Sequence, residues 1–150
     1  MPLPEPFPGL VIGYSFLWSH ENARGLSEGL KDRPCAIVLV KSEAEGERRI
    51  VTVAPITHSP SPDGRSVALV PKVKRHLGLD DQASWIVLDE LNRFIWPGTD
   101  IRPISRRRPG VFSFGVLPAD VFEHVKGVIN ELRRERGIIR LTTRADSIEI

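Results

Sequence analysis

The sequence predicts a small antiparallel β-barrel with a helix laid across it near the C-terminal end. Three observations lead there. Five to seven short apolar runs, rich in β-branched and aromatic residues, are separated by turn formers. After Leu117 the apolar period changes from strand-like to helical. The chain has 150 residues, 41% of them hydrophobic, enough for one domain with its own core. Short strands followed by a single amphipathic helix favour a closed sheet with a helical lid.

Residues 1–8 carry Pro2, Pro4, Pro6 and Pro8 and read as an extended arm or a packing strap. "GLVIGYSFLW" is the first strand, with Gly13 as a bulge candidate. Residues 19–32 form a polar loop with one short helical stretch, long for so small a domain. "CAIVLV", residues 35–40, is an unbroken apolar run, a strand buried on both faces. A polar turn around Gly46 leads into "RRIVTVAPI", a third strand expected to pair with the second. The Pro-rich segment 57–66 is a loop, with Asp63-Gly64 as its turn signal.

"SVALV" makes a fourth strand, and "PKVKRHLGL" one or two helical turns from Pro71 to near Gly78. "SWIVLDE" is the fifth strand; "RFIWPG" extends it or adds another, and "DIRPI" is a short edge segment. "SRRRPGVFSFG" reads as irregular. Val121, Phe122, Val125, Val128, Ile129 and Leu132 then recur at helical spacing, predicting a helix over 118–136 that stops at Gly137. The tail 137–150 is either a strand docking on a neighbour or a mobile end.

Charge and cysteine content narrow the classes. Lys and Arg total 21 against 19 acids, a formal charge of +2, so the whole chain carries no polyanion-binding signature. Residues 101–140, however, hold nine basic and four acidic side chains, suiting either a polyanion or a solvated face. Cys35 stands alone, which excludes an intrachain disulfide and a cysteine zinc cluster. His20, His58, His76 and His124 lack metal-helix spacing, so no metal or other cofactor is expected. The N-terminal residues lack a basic and apolar leader, and no run approaches the roughly 20 apolar residues of a membrane span. A cytoplasmic protein is the expectation.

Arg33 is the first candidate for chemistry. It stands where a loop meets the buried run of Cys35–Val40, and arginine seldom enters a core without a partner. It is either a salt-bridge clip, with Asp32 or a neighbour, or a working cation held by the scaffold.

In their order, "PGLVIGYSFLW", "GLSEGLKDRPCAIVLV", "IVTVAPITHS" and "SWIVLDELNRF" followed by the C-terminal helix resemble the MazF/PemK family of bacterial toxins. The likeness runs from about Pro8 to Arg136. It implies an SH3-like barrel, a homodimer, and metal-independent cleavage of single-stranded RNA or messenger RNA that inhibits growth. It also implies a cognate antitoxin protein of a type II toxin–antitoxin system.

The resemblance assigns Arg33, Thr57 and Glu28 to the catalytic site. Arg33 would stabilise charge on the phosphoryl oxygens, with proton donation to the leaving oxygen second; its high pKa makes it a poor base. Thr57 would orient the phosphate or the 2′-hydroxyl, or else simply bond local backbone. Glu28 would accept a proton or pair with Arg33, or be solvated. Trp18 stacks a base or packs the core. His58 and Ser59, beside Thr57, are candidate substrate contacts, and His58 is a candidate base against the plain reading of a solvated loop histidine. Arg106, Arg107 and Arg108 are candidate backbone contacts. Cys35 reads as an inert buried thiol. Two other functions use the same fold: a non-catalytic nucleic-acid- or protein-binding module, and a gyrase poison of the CcdB type. The "DSIEI" ending lacks the Trp-Gly-Ile of the latter.

Overall fold

The computed structural model describes residues 3–26, 29, 31–42 and 48–144. The described elements are β1 (Leu10–Tyr14), α1 (Ser19–Ala23), β2 (Arg33–Ser42), β3 (Arg49–Thr57), β4 (Ser66–Leu69), α2 (Pro71–His76), β5 (Ser84–Val87), β6 (Glu90–Trp96), β7 (Ile101–Arg102), β8 (Ser113–Val116), α3 (Ala119–Arg133) and β9 (Arg140–Thr143). The expected pairing of the second and third strands is present, antiparallel from Cys35↔Pro55 to Ser42↔Arg49. "RFIWPG" belongs to a strand of its own, β6, which pairs with the first half of β3.

β3 changes partners along its length. Arg49–Val53 pair with β6, whereas Ile56 and Thr57 pair with β5. Pro55, which has no N–H to give a ladder, stands in the gap between the two. This switch sends the end of β3 out beside β5 and away from β6, so Thr57 ends at the mouth of a cleft.

The sheet is mainly antiparallel but does not close. Its ladders run from β4 and β5 through β3, β2 and β1 to β7 and β8, with β6 and β9 branching from β3. Among the described strands no ladder joins these edges, so the expected barrel is corrected to an open sheet. The reason is topological. β9 returns beside β6 in parallel, and none of the described strands bridges it to the far edge at β7 and β8.

Both faces are nonetheless buried, as alternation requires. Val11, Ala36 and Ala54 face a core shared with Val73 of α2, Leu77 just after it and Val125 of α3. Ile12, Cys35, Ile37 and Val53 face a second core with Tyr14, Phe16, Phe94 and Trp96. Double burial of β2 holds only for Cys35–Ile37, because Leu39 is exposed. The stripe on α3 lies as its period dictates: Val125 is buried, and Val121, Phe122, Val128, Ile129 and Leu132 pack against the first core.

The remaining expectations sort by chain position. Residues 3–8 act as a strap: Leu3 packs on the second core, and Glu5 pairs with Arg49 of β3. The bulge falls between Val11 and Ile12, while Gly13 permits close approach instead; a Cβ there would lie 2.3 Å from the Arg102 carbonyl. "SFGV" is the strand β8, not irregular chain. Of the tail, Arg140–Thr143 form β9, and the buried Arg144 donates to Ser15 O, Asn92 Oδ1 and the Tyr14 hydroxyl and pairs with Asp100 at 3.0 Å. The turn around Gly46 and residues 145–150 lie outside the described residues. Among the described residues no helix is long and apolar enough to cross a membrane.

Candidate functional site

A cleft of about 560 Å3 opens where β2 begins and β3 ends. This size is within the roughly 300–1,000 Å3 common to ligand sites. Antiparallel pairing puts those two ends side by side, so the start of one strand and the end of the other share a wall. Trp18, Arg33, Thr57, His58 and Ser59 all line it. Five candidates separated by up to 41 positions in the chain are thereby brought together. Glu28 lies outside the described residues. Arg106, Arg107 and Arg108 lie elsewhere, exposed on a turn closed by Arg108 N–H donating to the Ser105 carbonyl at 3.2 Å.

Arg33 opens β2 opposite Tyr14 of β1 and is half-buried. Its guanidinium lies over the Trp18 ring, 5.4 Å from the centroid. Asp32, the nearest expected clip, turns instead toward Arg102, 3.6 Å from its Nε. Among the described residues no carboxylate lies within ion-pair distance of Arg33, and its buried Nε has no hydrogen-bond partner. A buried cationic N–H without an acceptor is unusual and costs free energy.

Trp18 packs on the second core, the second of its two expected roles, and its position leaves it on the cleft wall. Its ring packs edge-on against Phe16 at 5.0 Å and also walls the cleft. The backbone under it is tightly held. Asn92, buried on β6, accepts the Leu17 N–H at 2.9 Å and donates to the Leu17 carbonyl at 2.7 Å. The Trp18 N–H donates to Glu21 at 3.0 Å, opening α1. Across this segment, Gly29 donates to Ser15 Oγ at 3.1 Å, and its Cβ would fall 2.0 Å from the Phe16 carbonyl. Only glycine at position 29 allows the chain to lie so close there.

Thr57 Oγ1 donates to the Ser59 carbonyl at 2.6 Å and accepts the Ser59 N–H at 3.3 Å. This is the local backbone role. The hydroxyl proton is committed, which leaves one lone pair to accept from a substrate. The same turn aims His58, whose Nε2 lies 2.8 Å from Asp80 Oδ2.

Asp80 and Lys74 are members of the site that sequence reasoning missed. Lys74 Nζ donates to Asp80 Oδ1 at 2.6 Å and also bonds the Gln82 carbonyl. α2 makes this possible. Pro71 starts it, Gly78 at φ +67° ends it, and the chain then folds back so that Asp80 meets Lys74. The hydrogen bond from Lys74, and next that from His58, hold the Asp80 carboxyl below the usual carboxylate range. The available signal was the acidic pair after a helix stop in "HLGLDD".

Cys35, at the back of β2, is fully buried, and burial pushes its thiol far above the usual range despite nearby Arg33 and Arg144. It is no nucleophile. Among the described residues no group of three His, Cys, Asp or Glu side chains is placed to hold a metal ion. Compared with models of known protein families and with curated proteins, the chain matches none.

Proposed function

We propose that this protein is a metal-independent endoribonuclease acting on single-stranded RNA, the toxin of a type II toxin–antitoxin pair. The supporting observation is Arg33: a half-buried guanidinium braced on Trp18, lining a cleft, with no described carboxylate within ion-pair distance. A phosphate is the ligand that such a fork fits, and a fixed fork offers its donors without reorganising. In the reaction the 2′-oxygen attacks phosphorus, the P–O5′ bond breaks, and charge on the phosphoryl oxygens is met by Arg33. Thr57 Oγ1 accepts from the substrate with its remaining lone pair, and a base rests on the exposed part of Trp18. The resemblance to the MazF/PemK toxins points to the same chemistry from the sequence side. It extends the proposal to a homodimer, an acidic antitoxin, cytoplasmic action on messenger RNA, and descent of the open sheet from the SH3-like barrel.

A second reading is favoured by one observation. The Thr57 proton is already committed to Ser59, as in a binding module that does no chemistry. One experiment separates the two. A long single-stranded RNA is incubated with the protein in excess EDTA, and the new ends are analysed. The expected products carry 2′,3′-cyclic phosphate and 5′-hydroxyl ends, and Arg33→Ala slows their release about 100-fold or more. Binding without cleavage would establish the module, and activity lost to EDTA and restored by magnesium would overturn the mechanism.

A further inference from the structure

The cleft holds a polar chain that the Arg33 chemistry leaves unused: His58, Asp80 and Lys74. His58 Nε2 meets Asp80 Oδ2 at 2.8 Å, while Asp80 Oδ1 accepts from Lys74 Nζ at 2.6 Å and from the Gln82 N–H at 3.1 Å. Lys74 is almost wholly buried, so its ammonium is fixed and Asp80 is fixed with it. These bonds all favour the charged carboxylate, which accepts and cannot donate. The hydrogen between the two residues therefore belongs to Nε2. That sets the neutral tautomer with its lone pair on Nδ1. Among the described residues nothing hydrogen-bonds Nδ1, and the ring is half exposed on the cleft wall. A merely solvated histidine has no need of a carboxylate braced by a buried lysine. A base with a fixed tautomer does.

We infer that His58 is the general base of this cleft, accepting the proton of a substrate 2′-hydroxyl at Nδ1, with Asp80 and Lys74 as positioning residues. This rests on the ribonuclease reading above. The O2′–H bond breaks as the O2′–P bond forms, and the proton passes to Nδ1. The P–O5′ bond breaks, and O5′ takes a proton from water; the imidazolium returns its own to the hydroxide so formed. The charged groups around the ring and its cleft are Asp80, Lys74, Arg33, Lys31 and Asp32.

The test is kcat/KM against pH on a defined single-stranded oligonucleotide in EDTA, for the parent, His58→Ala, His58→Gln, Asp80→Asn and Arg33→Ala. The parent rate should rise between about pH 5 and 8, where an imidazole loses its proton. His58→Ala should lose about 100-fold or more together with that rising limb, and added imidazole should restore part of the rate. Asp80→Asn should be slower and move the rising limb to lower pH, because a negative charge beside the ring is gone. His58→Gln can still donate to Asp80, so it separates loss of the base from loss of the fold; it should be as inactive as His58→Ala. Full activity and an unchanged pH profile in either His58 variant, with Arg33→Ala inactive, would overturn the inference and leave the ribonuclease reading standing. Reduced activity that keeps the rising limb and ignores imidazole would also overturn it. A parent protein that cleaves no RNA would overturn both.

Discussion

A few atoms settle how the cleft residues can act. Arg33 avoids the ordinary fate of a charged residue at a core boundary because its neighbour Asp32 is drawn to Arg102 instead. Its face rests on Trp18, an arrangement that lysine cannot reproduce, since an ammonium has neither the planar stack nor the fork. Asp80 carries the opposite sign and a different kind of constraint. Its folded-state pKa is depressed, chiefly by the hydrogen bond from Lys74. A depressed carboxylate contributes stability that is fully present above its unfolded value. That contribution is lost as pH falls through the folded value, below the ordinary 3.8. Asp80→Asn removes it. The variant should therefore lose less stability than the parent as pH drops from about 5 to 2, the range over which a paired carboxylate protonates. Thermal unfolding across that range checks this. Equal acid sensitivity of the two proteins would mean that the Lys74 bond does not discriminate between the charge states of Asp80.

Each element is placed by a contact that its own stretch of sequence does not announce, and β9 is the clearest instance. Four residues of edge strand have little stability alone, yet Arg144 follows them and plugs its guanidinium into a buried nest. The nest includes the Ser15 carbonyl, Asn92 Oδ1, the Tyr14 hydroxyl and Asp100, contributed by residues far away in sequence. Arg144→Ala takes away the 3.0 Å partner of the buried Asp100, which keeps Arg102 at 3.8 Å, and should cost somewhat less than about 3–5 kcal/mol, the cost of leaving a buried charge unpaired. Urea unfolding measures it. A loss under 1 kcal/mol would mean that the tail is not anchored there. Because Asn92 also holds both backbone groups of Leu17, this variant should loosen the Trp18 wall of the cleft as well. The same contrast between local and distant causes explains what could be read in advance. The α3 stripe and the β2–β3 hairpin were legible because period and spacing are local properties. β8 was not, because Ser113 and Gly115 carry no strand signal and are held by pairing with β1. The open edge was not, because closure is a property of pairs of strands. In the cleft, Arg33 and Thr57 could be found at strand ends, whereas the bond joining His58 to Asp80 spans 22 positions and has no local signature.

At the scale of the whole molecule, the question is what the basic last third does. The fold divides it. Lys126, Arg133 and Arg136 of α3 and its exit join Lys41 and Arg93 around a groove of about 820 Å3 between that helix and the strands. Arg106, Arg107 and Arg108 instead stand on an excursion that interrupts the sheet edge between β7 and β8, both of which pair along β1. Its base is closed by the Ile104 N–H donating to the Val111 carbonyl at 2.8 Å. The three side chains are exposed and none lines the cleft. An exposed turn holds its arginines too loosely for work on a transition state, which requires fixed donors. Loose cations still attract a polyanion, and each phosphate they neutralise releases counterions. RNA affinity should therefore fall with salt, by a slope of about −0.7 per contact for single strands. Replacing Arg106, Arg107 and Arg108 by Gln should flatten that slope by about 2 if all three touch the backbone. Turnover at saturating RNA should stay within about twofold, because the interaction acts equally on bound substrate and transition state. Titrations at several salt concentrations and single-turnover rates give the two numbers separately. An unchanged slope would make these arginines a solvated face and turn attention to the cations around α3. A collapse of turnover with binding intact would bring the excursion into the cleft during reaction and undo the division between binding and chemistry.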